Sequence, residues 1–179
     1  MSGSGEDLTG SDPSFESAMS DTHIIQKIKD RFGDAVLEDH NFRGDQTLTL
    51  QKEKIVEVTQ FIKDEPSLDM DFLMDLTAVD YMDRKQQRFE VVYHFYSSKH
   101  NHRVRLKVPV DEDDCLVNTL DSLYKAANWF EREVWDLYGI KFRGHPNMKR
   151  ILLYEEFKGH PLRKDYPINK RQPLIGPMN

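Results

Sequence analysis

Between Asn128 and Pro167 the chain concentrates the side chains best able to do chemistry. Glu131, Arg132, Glu133 and Asp136 share one helical stretch; two Gly-His-Pro turns carry His145 and His160; Arg163, Lys164, Asp165 and Tyr166 follow. At about 100° per residue, Glu131 falls among Tyr124, Ala127, Trp135 and Tyr138, inside an apolar arc, whereas Arg132 and Asp136 lie together on the far side. Glu131 is therefore expected to be partly buried, and a buried carboxylate needs a cation or several donors. Arg143, Lys149 and Arg150 are the nearest candidates. Either the pair is intrachain and fixes the tail on the helix, or the charges are completed by another subunit. Trp129 sits on the wheel near Lys125, Arg132 and Asp136, away from the apolar stripe. An exposed tryptophan calls for a cover, either the chain's own tail or a partner.

Other chemistries have less to stand on. A free-standing enzyme using Glu131, Glu133 or His145 as acid or base would lack a nucleophile and base at a recognisable spacing, and positioned oxyanion donors. Among the seven histidines, His94, His100 and His102 come together around one hairpin, but no spacing is diagnostic of a metal site. His145 and His160 precede prolines, which push them into extended backbone at corners of the chain. The single cysteine, Cys115, follows four acids that oppose a lowered thiol pKa, so it reads as structural, and a lone cysteine fits a reducing compartment.

The residues Glu131-Arg132-Glu133, Asp136-Leu137-Tyr138, His145, Lys149, Ile151 and Leu152 resemble the signature of the 30 kDa-type subunit of the proton-translocating NADH-quinone oxidoreductase, respiratory complex I. Gly159-His160-Pro161-Leu162-Arg163-Lys164-Asp165-Tyr166-Pro167 resembles the same family's C-terminal segment, and Asp75 to Tyr81 and Val91 to Phe95 also look like it. The resemblance implies a non-catalytic peripheral-arm protein bound to the large subunit that helps form the quinone site, with FMN and iron–sulfur clusters on partner subunits. It implies partner-binding roles for Trp129, Glu131, Arg132, Glu133, Asp136, Tyr138, His145, Arg150, His160, Arg163, Lys164, Asp165 and Tyr166. An equivalent subunit of a membrane-bound hydrogenase, or of a complex I fed by another donor, is the alternative. The residues agree on cofactors: a conventional cluster needs about four cysteines and a dinucleotide fold wants G-x-G-x-x-G, and this chain has one cysteine and no such turn.

Composition bounds the rest. The chain has 179 residues, 38% hydrophobic and 31% charged, which suits one core. No apolar run approaches the roughly 20 residues of a membrane span, so association with a membrane is expected only through a complex. A net charge of −6 argues against general nucleic-acid affinity. Residues 1–20, rich in Ser, Gly and acid, predict disorder, and they match neither a secretory signal nor a mitochondrial presequence. A bacterial protein at the cytoplasmic face of the inner membrane is expected, with a processed mitochondrial form as the alternative.

The elements that must hold the charged stretch read as α+β: a single antiparallel or mixed sheet covered by helices over 21–140, then an extended partner-binding arm over 141–179. Ile24, Ile25, Ile28 and Phe32 give one helix face, capped at Ser20 or Asp21 and stopped at Gly33. Ala35 to Asp39 and Thr47 to Gln51 flank a turn, and a second helix runs from Ile55 to Pro66. Phe72 to Tyr81 is strand or turn, with Asp75 and Asp80 facing Arg84 or Arg88. Phe89 to Tyr96 is β-prone, and Val104, Leu106, Val108 and Val110 alternate with Arg103, Arg105, Lys107 and Pro109. Leu116, Leu120, Leu123, Ala127, Phe130, Val134 and Leu137 predict a helix from Cys115 to Tyr138, with a break near Asn128 as one option and Gly139 as its stop. Prolines 161, 167, 173 and 177 keep the arm extended.

Overall fold

The computed structural model describes residues 24–172. The N-terminal segment, the Ser20 or Asp21 cap and the last two prolines lie outside the described residues.

Helix α1 (24–32) leads through a 3-10 turn into strand β1 (Val36–Phe42) and strand β2 (Asp45–Leu50). Helix α2 (Ile55–Asp64) follows, then β3 (Phe72–Asp80), β4 (Phe89–Ser97) and β5 (His102–Val110). The five strands form one mixed sheet in the order β1-β2-β5-β4-β3, with β2 and β5 parallel and the other neighbours antiparallel. A short strand β6 (Leu116–Asn118) pairs in parallel with β7 (Lys141–Arg143), and helix α3 (Ala127–Tyr138) lies between them. The sheet is mixed because α2, β3 and β4 intervene between β2 and β5, which supplies the long crossover a parallel pair requires.

Alternation decides which face is covered. Leu48, Leu106, Tyr93 and Leu76 fall in one register row across four strands, and all four are buried. Against that face α1 places Ile24 and Ile28, and α2 places Ile55, Val58 and Ile62. The adjacent row, Thr47, Arg105, His94 and Asp75, points the other way. There Arg105 pairs with Asp45 and donates to His94, and Lys107 pairs with Glu90. The basic stripe is thus largely neutralised within the sheet. Helix α3 packs beside β3, and Ala127 and Val134 join the common core.

The expected helix from Cys115 to Tyr138 is shorter than its pattern. Leu116, Leu120 and Leu123 belong to β6 and the turns after it, and α3 begins only at Ala127. Those leucines keep helical spacing without being helical because a strand followed by a tight turn returns side chains to the same core: Val117 and Leu120 are both buried. The N–H of Leu120, which a continuous helix would spend on Leu116, is taken by Glu131. Gly139 does end the helix, at φ 82°, with its N–H on Trp135 O.

Candidate functional site: the junction of helix α3 and the arm

Helix α3 brings Trp129, Glu131, Arg132, Glu133, Asp136 and Tyr138 to the junction, and the chain beyond Arg143 folds back over it. Among the described residues after β7 there is no helix or strand. Side chains of α3 instead supply partners for this irregular backbone, which any buried amide or carbonyl requires.

Asp136 organises the turn. The wheel places it on the polar side with Arg132, but it is fully buried in the fold. Its Oδ2 accepts the successive N–H groups of Ile151, Leu152 and Leu153 at 3.1, 3.0 and 2.9 Å. Its Oδ1 accepts Arg150 Nη1 at 2.5 Å. Burial opposes its ionisation, yet the Leu153 amide, Arg150 and the other two amides together hold its carboxyl below the ordinary aspartate value. Arg150 then donates its Nη2 to the carbonyls of Phe157 and Gly159. Arg132 completes the seam, with Nε on Lys149 O and Nη2 on Arg150 O, both at 3.0 Å.

Glu131 is also fully buried, as the wheel predicts, but none of Arg143, Lys149 and Arg150 pairs with it. Its Oε1 accepts Leu120 N–H at 2.7 Å and its Oε2 accepts the Thr119 hydroxyl. Burial pushes its pKa up to about 7, against the smaller opposing pull of those two bonds. The buried Tyr93 hydroxyl has no hydrogen-bond partner, and burial together with the Glu131 charge raises its pKa. The cation falls to Asp136 because the 149–153 turn lies over that face of α3, while the 119–121 turn covers the face bearing Glu131.

The two Gly-His-Pro corners are tied to the same helix. His145 donates Nε2–H to Asn128 O and accepts Asn147 N–H at Nδ1, both at 3.0 Å. His160 donates Nδ1–H to Asp136 O at 3.0 Å and lies flat against Gly139, where a Cβ would come 2.7 Å from its ring. Leu162 N–H reaches Leu137 O at 3.0 Å. Tyr138 is half-buried against the core, and burial raises its pKa. Tyr166 stacks on Phe157 at 6.1 Å, and a Cβ on Gly159 would come 2.8 Å from its ring.

Arg163 and Asp165 join a cluster that local sequence patterns do not reveal. Arg88, just before β4, binds Asp80 at 3.0 Å, Glu112 at 2.6 Å and Asp165 at 2.9 Å. Arg163 also pairs with Glu112 and Asp165. Lys164, itself exposed, donates its N–H to Asp80 Oδ2 at 2.8 Å. Hydrogen bonds from Arg88 and then Arg163 hold the Asp165 carboxyl down to about 2. Pairing of Asp80 with Arg88 is one of the sequence's expectations; Asp75 instead faces His94, at 3.7 Å.

Three candidates stay outside these networks. Trp129 is 61% exposed, with the Arg132 guanidinium 5.4 Å above its ring, so the described part of the arm does not bury it. Glu133 is half-exposed on the same helix. Cys115 is half-buried, and burial raises its pKa. His100 and His102 bond to the carbonyls of Pro66 and Leu68. Among the described residues no group of three or more His, Cys, Asp or Glu is arranged to hold a metal ion. No helix among them is long and apolar enough to cross a membrane.

Comparison with known proteins agrees with this geometry. The family described as "Respiratory-chain NADH dehydrogenase, 30 Kd subunit" matches residues 48–172, from β2 through the whole junction. The C-type subunit of the NADH-quinone oxidoreductase of Geobacter sulfurreducens is 42% identical over 154 residues, covering 85% of this chain and 94% of that protein. The corresponding protein of Trichlorobacter lovleyi is 44% identical over 161 residues, covering 88% and 98%. A solved structure described as the trypsin-resistant fragment (1-134) of Nqo5 superposes with a TM-score of 0.63 at 28% identity, covering 72% of this chain and 99% of that one. A chain of the membrane-bound sulfane sulfur reductase, an archaeal respiratory membrane complex, shares the fold, with a TM-score of 0.69 at 23% identity over 83% and 86% of the two chains. The match that spans β3 to β5 of the sheet and the Asp136 and Arg88 networks places this chain in the respiratory-chain NADH dehydrogenase 30 kDa subunit family.

Proposed function

We propose that this chain is a non-catalytic subunit of the peripheral arm of a proton-translocating NADH-quinone oxidoreductase, where it scaffolds the large quinone-site subunit. Electrons would pass from NADH through FMN and iron–sulfur centres on other subunits to quinone, coupled to proton translocation. The isolated chain is expected to turn over no substrate, and the complex would hold it at the cytoplasmic face of a bacterial inner membrane.

The observation that carries this reading is how the junction spends its charge. Asp136, Arg150, Arg132 and His160 all bond to arm backbone or to one another, which leaves a rigid shape rather than a reactive pair. What that shape displays is Trp129 and Leu152, 61% and 60% exposed, beside basic residues of the arm. Residues 141–172 contain nine Lys or Arg (141, 143, 149, 150, 158, 163, 164, 170, 171) and three acids (155, 156, 165), a net charge of 9 − 3 = +6 in a chain of net −6. An aromatic anchor with a cationic surround is the composition of a protein interface, and its complement is an acidic surface on a larger subunit.

A pull-down of the tagged chain from gently solubilised membranes, with the eluate assayed for NADH-dependent quinone reduction, tests the proposal. A multi-subunit complex with that activity is expected. Recovery with hydrogenase activity, or with activity from another donor, would assign the chain to a sister complex, and a lone chain would refute the scaffold reading.

A further inference from the structure

The apolar core ends with β7: among the described residues beyond Phe142, Met148 is the one hydrophobic residue packed partly buried against it. The rest of the arm is fastened at two places of different character. The first is at the end of α3, where the Asp136 carboxylate is fully buried and His160 on Gly139 and the Leu162 to Leu137 hydrogen bond lie beside it. The second is ionic. Arg88 reaches Asp165 from the domain, Arg163 reaches Glu112 from the arm, and the Lys164 amide closes on Asp80. The side chains of Glu112 and Asp165 are 48% and 41% exposed, so solvent and ions have access to this second fastening.

From Arg163 to Gln172 the arm adds charge, hydrogen bonds and the Arg163 guanidinium 5.1 Å over the Phe89 ring, but no hydrophobic residue to the core. Tyr166 stacks on Phe157, which is itself in the arm, and Ile168 is fully exposed. Segments that bury little apolar surface open at the lowest free energies, and accessible ion pairs weaken as salt rises.

We propose that residues 163–172 form a releasable strap, latched by Arg88 through Asp165 and opening independently of the Asp136 anchor. Resting on the scaffold reading above, the latch sets the arm's course before a partner is met, so that docking begins from an ordered surface and the strap alone is free to adjust. Two carboxylates and two guanidiniums at its tip would then be exchanged for the partner's own charged groups.

Hydrogen exchange on the free full-length chain tests the latch without any partner, so its outcome is separate from that of the scaffold reading. The amides of Lys164 and Tyr166 should be protected at low salt. Raising NaCl to molar concentration, or the substitution Asp165→Asn, should speed their exchange by at least about tenfold. Peptides from β4, β5 and the 149–153 turn should stay unchanged in the same samples, which also shows that the variant is folded. Arg88→Met should act alike, but it strands Asp80, so the arm-side variant is decisive. Exchange at the rate of unstructured chain in low salt would overturn the proposal, as would protection that neither salt nor Asp165→Asn alters.

Discussion

Arg150 Nη1 lies 2.5 Å from Asp136 Oδ1, and this pair joins a fully buried helix carboxylate to a turn residue 14 positions later. Three backbone amides on the other carboxylate oxygen make Asp136 the organiser of the turn and Arg150 its counter-charge. Removing one partner of such a pair leaves a buried charge or buried donors. Asp136→Ala is expected to cost about 3–5 kcal/mol, and Asp136→Asn less because an amide oxygen still accepts. Because the folded carboxyl titrates below its unfolded value, its contribution is present above the unfolded pKa and fades as pH falls through the folded one. Urea denaturation of wild type and Asp136→Asn at pH 7 and at pH 3 checks this: the difference between them should shrink in acid.

Glu131 has the opposite sign. Its folded pKa, about 7, lies above the ordinary 4.5, so the folded state holds the proton more tightly. Stability should therefore fall as pH rises from 4.5 to 7, with about 3 kcal/mol lost once the carboxyl is ionised. Glu131→Gln keeps an acceptor for Leu120 N–H and a donor for Thr119 while removing the charge. Chemical denaturation should find that variant more stable than wild type at pH 8 and equal to it near pH 4. A wild-type stability that is flat between those values would contradict the assignment.

What the sequence made legible and what it hid follow from the range of the interactions. Gly139 as a helix stop, the alternation of Val104 to Val110 and the burial of Glu131 are local or periodic, and the fold bears them out. The start of α3 at Ala127 is legible only as the optional break near Asn128, because Leu116 and Leu120 keep helical spacing while serving a strand and a turn. The burial of Asp136 is not legible because three of its four partners are backbone amides, which no residue type announces. The contact between Arg88 and Asp165 spans 77 positions, and only the folded sheet brings them together. Thr119 as a ligand of Glu131 carried no signal beyond being a hydroxyl.

Gly139 and His160 form a pair that can be tested by rescue. Gly139 has φ 82°, and a Cβ there would meet the His160 ring at 2.7 Å. Gly139→Ala should cost about 1–3 kcal/mol, part from left-handed backbone and part from the ring. In the double variant with His160→Ala the clash disappears while the backbone cost stays. Thermal unfolding of the four proteins should therefore give a double variant less destabilised than the sum of the singles, and strict additivity would mean that the ring moves away at no cost.

On the scaffold reading, Trp129 should separate assembly from folding. With 61% of its surface exposed and Arg132 above its ring, it supports little of the domain, so Trp129→Ala should change unfolding free energy by no more than about 0.5 kcal/mol. Anchors of this kind account for a large part of interface energy, and truncating one costs about 2 kcal/mol or more of binding. The variant should therefore fold normally yet co-purify with partner subunits at reduced yield. Arg132→Ala, which also releases the carbonyls of Lys149 and Arg150, should lower both stability and yield. Comparing the two variants by thermal unfolding and by recovery of the complex from membranes distinguishes the roles: normal recovery with Trp129→Ala would move the contact surface away from α3.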